Sequence, residues 1–232
     1  FRDGFSGQDA ALPFTVAAGC AGVGSQDRRV ERATKERVGS GGLDAMRPLA
    51  GLRVLELCWV WSGPMVGQIL ADLGAEVIKI ESLDRFDLYR TRGLEARRGT
   101  MTERVRIESS LYFHSLNRNK VGITVDLKSP VGLDTMKALV AESDLLLDNF
   151  TTGTLERLGL GDDVLHAANP ALCVVSMSGP GKGSSLERLR SYGLVLSALG
   201  GAELDIEADG EFVGSPTYSL SDPNAALFAG LG

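Results

Sequence analysis

Histidine is almost missing from this 232-residue chain: only His114 and His166 occur, far apart. That excludes a metal site built on several imidazoles. Cysteine is scarce as well. Cys20, Cys58 and Cys173 are odd in number and widely spaced. They make no Cys-x-x-Cys pair and no disulfide framework, the pattern expected in a reducing cytosol. Positive charge is in deficit, 24 Lys and Arg against 30 Asp and Glu, for a formal net charge of −6. A basic footprint for nucleic acid is therefore absent, and an anionic ligand must be held by a local cluster of Arg, Lys and N–H groups. No apolar run is long enough to span a bilayer. The N-terminus lacks the basic, apolar and small-residue order of a secretory signal. The expectation is a soluble cytoplasmic protein without a metal, bound to neither nucleic acid nor membrane.

What the chain does have is regular apolar patterning from Pro48 onward. Leu52 to Leu57 is a short strand-like run. Ser62-Gly63-Pro64 follows, with proline suited to a helix's first turn, and helical spacing over 65–73 stops at Gly74. Glu76 to Glu81 is a second strand, completing a β–α–β unit. The theme repeats: strand over 121–127, helix over 130–143, strand over 144–147, helices near 154–158 and 162–168, strand over 172–177, helix over 188–199. This alternation predicts an α/β fold, Rossmann-like, with a mostly parallel sheet flanked by helices. Residues 84–108, rich in Arg and Glu without a period, read as a surface excursion or flexible loop. Residues 1–46 form a poorly patterned extension, either a linker from an upstream domain or translated sequence ahead of a start at Met46. Residues 47–232 are the patterned domain. The end at Leu231-Gly232 falls inside a helical pattern begun at Asp222, so a domain truncated at its C-terminal end is expected.

In such a sheet, ligands sit at the carboxyl ends of the strands, where helix N-termini present N–H groups. The first such turn is Trp59-Val60-Trp61-Ser62-Gly63-Pro64. An NAD-dependent dehydrogenase is the first rival, with Glu81 where a ribose-binding acid belongs. Gly63 and Gly67 do not spell GxGxxG, however, so close backbone approach to a pyrophosphate loses its support. Gly179-Pro180-Gly181-Lys182-Gly183-Ser184-Ser185 lacks the Walker spacing and reads as a glycine-rich loop after a strand, able to close over a substrate. Asn117-Arg118-Asn119-Lys120 is either a solvated turn or a polar cluster for phosphates. Asn149 to Gly153 leads from a strand into a helix and presents N–H groups in the same way. Ser221-Asp222-Pro223 opens an Ala-rich segment, so Ser221 or Asp222 reads first as an N-cap. Capping and catalysis are compatible, because a helix N-terminus keeps a carboxylate ionised and nucleophilic.

Taken in order, these segments resemble the CaiB/BaiF family, the class III CoA-transferases. The resemblance is carried by PLAGLRVLEL…SGPMVGQILADLGAEVIKIE (Pro48 to Glu81), YFHSLNRNKVGITVDLKSPVG (Tyr112 to Gly132), DNFTTGTLERLGL (Asp148 to Leu160) and NPALCVVSMSG (Asn169 to Gly179). SYGLVLSALGG (Ser191 to Gly201) and SDPNAALFAG (Ser221 to Gly230) complete it. The resemblance implies a CoA-binding Rossmann-like domain, with most of the family's smaller second domain absent from this chain. It implies Asp222 as catalytic nucleophile. Coenzyme A, the co-substrate arriving as acyl-CoA, is expected at Val60, Trp61 and Ser62, at Val125 to Lys128, at Asn149, Phe150, Thr151 and Arg157, and at Arg190. The implied reaction moves CoA between an acyl-CoA thioester and a small carboxylic acid, through aspartyl anhydride and enzyme–CoA thioester intermediates (EC 2.8.3 type), without a metal. A non-catalytic CoA-binding subunit, or half of a fused pair, is the alternative. Full-length members form homodimers. Two departures stand out. Ser82 occupies a position where many members carry Arg, with Arg85 the nearest replacement. Tyr192-Gly193 stands where the family's 2-methylacyl-CoA racemases carry His-Asp, and racemisation needs two placed acid/base groups.

Overall fold

The computed structural model describes residues 17–19, 47–92, 107–201, 207–208, 211–212 and 220–231. The main sheet contains β1 (Ala17–Gly19), β2 (Arg53–Leu57), β3 (Glu76–Glu81), β4 (Lys120–Thr124), β5 (Leu145–Asp148) and β6 (Cys173–Ser176). Their order is β1-β6-β5-β2-β3-β4. β2 to β6 are parallel, and β1 runs antiparallel along β6. Counted among themselves, the parallel strands lie third, second, first, fourth, fifth. That is the doubly wound arrangement, with its switch point between β2 and β5. The Rossmann-like expectation holds. β1 comes from the stretch that showed no period, since three residues at a sheet edge are too few to carry one. A separate pair, β7 (Glu207–Ala208) and β8 (Glu211–Phe212), is antiparallel.

The helices are α1 (Ser62–Asp72), α2 (Leu111–Asn117), α3 (Pro130–Ala141), α4 (Thr154–Arg157), α5 (Asp162–Ala168), α6 (Gly193–Leu199) and α7 (Ser221–Leu231). Side chains alternate across the sheet. Leu55, Leu57, Ile80, Leu146 and Val174 pack against Met136 and Val140 of α3 and Leu165 of α5. Val54, Cys58, Val77, Leu147 and Val175 pack against Val66 and Leu70 of α1 and Ala226 of α7. With both faces covered, the inner strands read as nearly continuous apolar runs. Each fully buried Leu contributes about 1.5–3 kcal/mol.

Three expectations change. Residues 84–92 are irregular and only partly a surface excursion: Asp84, Arg85, Leu88 and Arg92 are exposed, but Asp87 is fully buried, and Tyr89, in a 3-10 turn at Leu88–Arg90, is nearly so. Residues 93–106 of that segment lie outside the described residues. The helix expected over 188–199 starts only at Gly193, after an extended Tyr192 (φ −103°, ψ 167°). Leu186 and Leu189 imitate helical spacing, yet both are exposed and have no core to dock on. The cluster at 117–120 holds no phosphate site, because its side chains are already engaged. Arg118 and Asn119 bond Asp72, while Lys120 turns inward to Glu56 and the Pro64 carbonyl. Helix α2, capped by Ser110 through Phe113 N–H, was too short to show a period.

Candidate active site

The carboxyl ends of the five parallel strands open into one cleft of about 1160 Å³, above the ~300–1,000 Å³ usual for small ligands. All eleven residues singled out in the sequence line it: Val60, Trp61, Ser62, Val125, Lys128, Asn149, Phe150, Thr151, Arg157, Arg190 and Asp222. The cause is topological. Each loop between a strand and its following helix leaves the sheet at the same edge, so segments far apart in sequence meet there.

Asp222 arrives on α7, which packs on α1 through the buried Ala226. The helix begins at Ser221, so Asp222 lies in its first turn and neither residue is the cap. Asn224 N–H donates to Leu220 C=O, which places the cap one residue earlier. The Ser221 hydroxyl instead donates to Gly193 C=O at 2.8 Å, tying α7 to the start of α6. Tyr89 senses the Asp222 charge. Its phenol is pushed up first by burial, is pulled down by Arg92, and is raised again by the carboxylate of Asp222.

The first turn is gripped by side chains. Trp59 N–H donates to Asn149 Oδ1 at 2.9 Å, and Asn149 Nδ2 donates to Trp59 C=O at 2.7 Å. Val60 has φ +71°, a region that costs a β-branched residue about 1–3 kcal/mol. Its N–H donates to Asp87 Oδ1 at 3.0 Å. Gly63 and Gly67 let α1 sit close to β2, since a Cβ would collide with Cys58 at the first and Glu56 at the second. They serve helix–strand packing, one of the roles glycine plays in dinucleotide folds, without the full glycine motif.

Behind the turn lies a buried charge network that the sequence reading missed. Glu56 and Lys79 are register partners on β2 and β3, 3.1 Å apart and shielded from solvent. Lys79 also pairs with Asp87 at 3.1 Å and donates to Cys58 C=O at 2.7 Å. Lys120 pairs with the other oxygen of Glu56 at 2.7 Å. Burial pulls both ammonium pKa values down. For Lys79, Glu56 and Asp87 outweigh it and the net shift is upward; Lys120 stays below its ordinary value. Arg90 forks onto Glu81 at 2.6 Å and stacks on Phe113 at 3.7 Å. Burial alone would raise the Glu81 pKa, but the Arg90 bonds hold it below the ordinary range. The available signal was a charge at the centre of each apolar strand, Glu56 and Lys79.

Five basic side chains line the cleft: Arg85, Lys128, Arg157, Arg188 and Arg190. Several lining acids are already engaged. Glu81 is held by Arg90, Asp126 accepts from Lys128 N–H, and Glu187 accepts from Gly183 N–H. Arg85 lies over the Trp59 ring, 5.5 Å from its centroid, so a cation does reach the wall beside Ser82. In the glycine-rich loop, Gly179 lines the cleft. Lys182 turns to Asp162 at 3.3 Å, away from a phosphate-loop role, and the Gly183 N–H is already spent on Glu187. Asp148, beneath the Asn149 loop, is pushed up to about 6 by burial, against hydrogen bonds from Ser176 and Phe150 N–H. Tyr192 is exposed and lines the cleft.

The fold is a doubly wound α/β domain whose strand ends carry five basic side chains around one cleft. The chain belongs to CoA-transferase family III, whose family model matches residues 49–232. It is 40% identical over 190 residues to succinyl-CoA–D-citramalate CoA-transferase of Chloroflexus aurantiacus, covering 80% of this chain and 44% of that protein. It is 35% identical over 187 residues to succinyl-CoA:glutarate CoA-transferase of Mus musculus, covering 80% and 41%. A crystal structure of a CaiB/BaiF family protein from Brucella suis superposes with a TM-score of 0.69 at 34% identity, covering 79% and 47%. The chain thus spans less than half the length of each of these relatives. No helix among the described residues is long and apolar enough to cross a membrane.

Proposed function

We propose that this chain is the CoA-binding, nucleophile-bearing half of a CoA-transferase that moves CoA from an acyl-CoA thioester to a small carboxylic acid. The observation that carries this reading is the meeting of Asp222 with the ten other singled-out residues in one cleft. The fit to coenzyme A rests on the cleft's size, its five basic side chains, and the open N–H groups of the first turn of α1. Two of the relatives named above use succinyl-CoA by name, so succinyl-CoA is the donor to try first.

In this mechanism Asp222 attacks the thioester carbonyl, forming a mixed anhydride and expelling the thiolate. The thiolate attacks the Asp222 carbonyl carbon, giving an aspartyl thioester and releasing the donor as its carboxylate. The acceptor carboxylate then attacks that thioester, forming a second anhydride, and the returning thiolate attacks the acceptor carbonyl to regenerate Asp222. Each step exchanges one carboxyl derivative for another, so neither ATP nor a net proton is consumed, and one difficult exchange is divided into easier ones. N–H groups lining the cleft near Gly179 stabilise the tetrahedral oxyanions. Dimerisation of the intact protein remains part of this reading.

The test incubates intact protein with succinyl-CoA and searches for a CoA adduct on Asp222 by mass spectrometry. The adduct forms in the unaltered protein, and Asp222→Ala binds CoA without forming it. Near-normal turnover by Asp222→Ala would refute the assignment. CoA binding without an adduct in the unaltered protein would favour the non-catalytic subunit.

A further inference from the structure

Two described non-glycine residues have positive φ, Val60 and Asn119. Asparagine takes this conformation readily; a β-branched valine takes it only when its surroundings hold it there. At Val60 the holder is identifiable. The buried Asp87 accepts from Val60 N–H at 3.0 Å and from Tyr89 N–H at 2.9 Å through Oδ1, and pairs with Lys79 through Oδ2 at 3.1 Å. Lys79 in turn holds Cys58 C=O, and Asn149 holds both main-chain polar groups of Trp59. Every main-chain bond from Cys58 C=O to Val60 N–H is therefore made by a side chain from another part of the fold. Val60 lines the cleft, and Tyr89, on the same carboxylate, feels the charge of Asp222.

We propose that Asp87 is a positioning residue that holds Val60 in its left-handed conformation and so sets the cleft wall against which acyl-CoA binds. It touches no substrate. Only the identity of the ligand rests on the CoA-transferase reading; the grip on Val60 does not. An asparagine at this position has one acceptor oxygen where two are needed. An amide NH2 cannot face the buried Lys79 ammonium, so the oxygen turns to Lys79 and Val60 N–H loses its acceptor. Glycine at position 60 accepts φ +71° without strain and needs no holder.

The experiment measures the CoA dissociation constant by calorimetry, together with kcat and the KM values, for intact protein carrying Asp87→Asn, Val60→Gly or both. Asp87→Asn is expected to raise the CoA dissociation constant and the acyl-CoA KM about tenfold, with kcat and the acceptor KM nearly unchanged. Adding Val60→Gly restores most of the loss. If Asp87→Asn does not fold, the apolar pair Lys79→Met/Asp87→Leu replaces it, because Glu56 keeps Lys120 and Val60 N–H still loses its acceptor. Unchanged affinity in a folded Asp87 variant overturns the inference. So does a double variant that binds CoA much more weakly than Val60→Gly alone, since that marks a merely structural role. Should the unaltered protein bind no CoA, the transferase reading fails by itself. The grip is then read from tryptophan emission, as the chain's two tryptophans, Trp59 and Trp61, flank Val60. Emission that shifts in Asp87→Asn and returns on adding Val60→Gly supports it, and emission that does not shift overturns it.

Discussion

The side-chain amide of Asn149 bonds both main-chain polar groups of Trp59, accepting from its N–H at 2.9 Å and donating to its C=O at 2.7 Å. The two residues are 90 apart in sequence and lie just past the ends of β2 and β5, across the switch point of the sheet. A side chain imitates here the pairing that a neighbouring strand would give. It stitches the two loops together where the parallel ladder has run out.

Removing that stitch has a measurable cost. Asn149→Ala leaves the Trp59 N–H and C=O unpaired in a partly buried turn, and is expected to destabilise by about 1–3 kcal/mol. Urea unfolding followed by tryptophan emission measures both the midpoint shift and any loosening of the turn. Asn149→Asp keeps the acceptor but sets a carboxylate against Trp59 C=O, so it should do no better than alanine.

Lys79→Met removes the cation from between Glu56 and Asp87. Glu56 retains Lys120, but Asp87 keeps no cation among the described residues. A buried charge stripped of its partner costs about 3–5 kcal/mol. Chemical denaturation at pH 7 should show a loss of that size. A loss below about 1 kcal/mol would mean that water reaches the network.

Asp148 gives the protein a pH dependence of a particular sign. Its carboxyl titrates near 6 in the folded state against an ordinary 3.8, so between those values the native state binds the extra proton. Stability therefore falls as pH rises through about 4 to 6, by up to about 3 kcal/mol from this group. Asp148→Asn should raise the denaturation midpoint at pH 7, change little near pH 4, and flatten the slope between. Glu81 works in the opposite sense. Held below its ordinary value, it contributes stability that is present above its unfolded pKa and lost as pH falls. Glu81→Gln should thus weaken the fold at neutral pH, change little in acid, and flatten the loss of stability between.

Gly67→Ala tests the close approach of α1 to β2. The added methyl collides with the Glu56 carboxylate, which is buried and fixed by two lysines. Overpacking of this kind costs about 1–3 kcal/mol, although alanine is the better helix former. The sign of the change in thermal midpoint decides between collision and propensity.

Much of this protein was legible in its sequence because the signals are local. Strand runs, Pro64 near a helix start and Gly74 past its end fix β2, α1 and β3 within a few residues. Asp162 to Ala168 forms the expected helix residue for residue. The alternation of strand and helix then dictates a parallel sheet, and a parallel sheet gathers its turns at one edge. The cleft, and the eleven singled-out residues that line it, followed from that chain of reasoning together with the family resemblance. What the tertiary structure alone decided is which polar groups hold one another. Asp87 lies in a stretch without a period, and nothing local says that its carboxylate meets a lysine from β3 and an amide from the first turn. Asn149 lines the cleft, but nothing local says that its amide also clamps Trp59, 90 residues away. Lys120 read as part of a solvated turn or a polar cluster for phosphates, whereas it neutralises Glu56. A charge buried at a given depth takes its partner from whichever strand the register sets beside it, and register is a property of the assembled sheet.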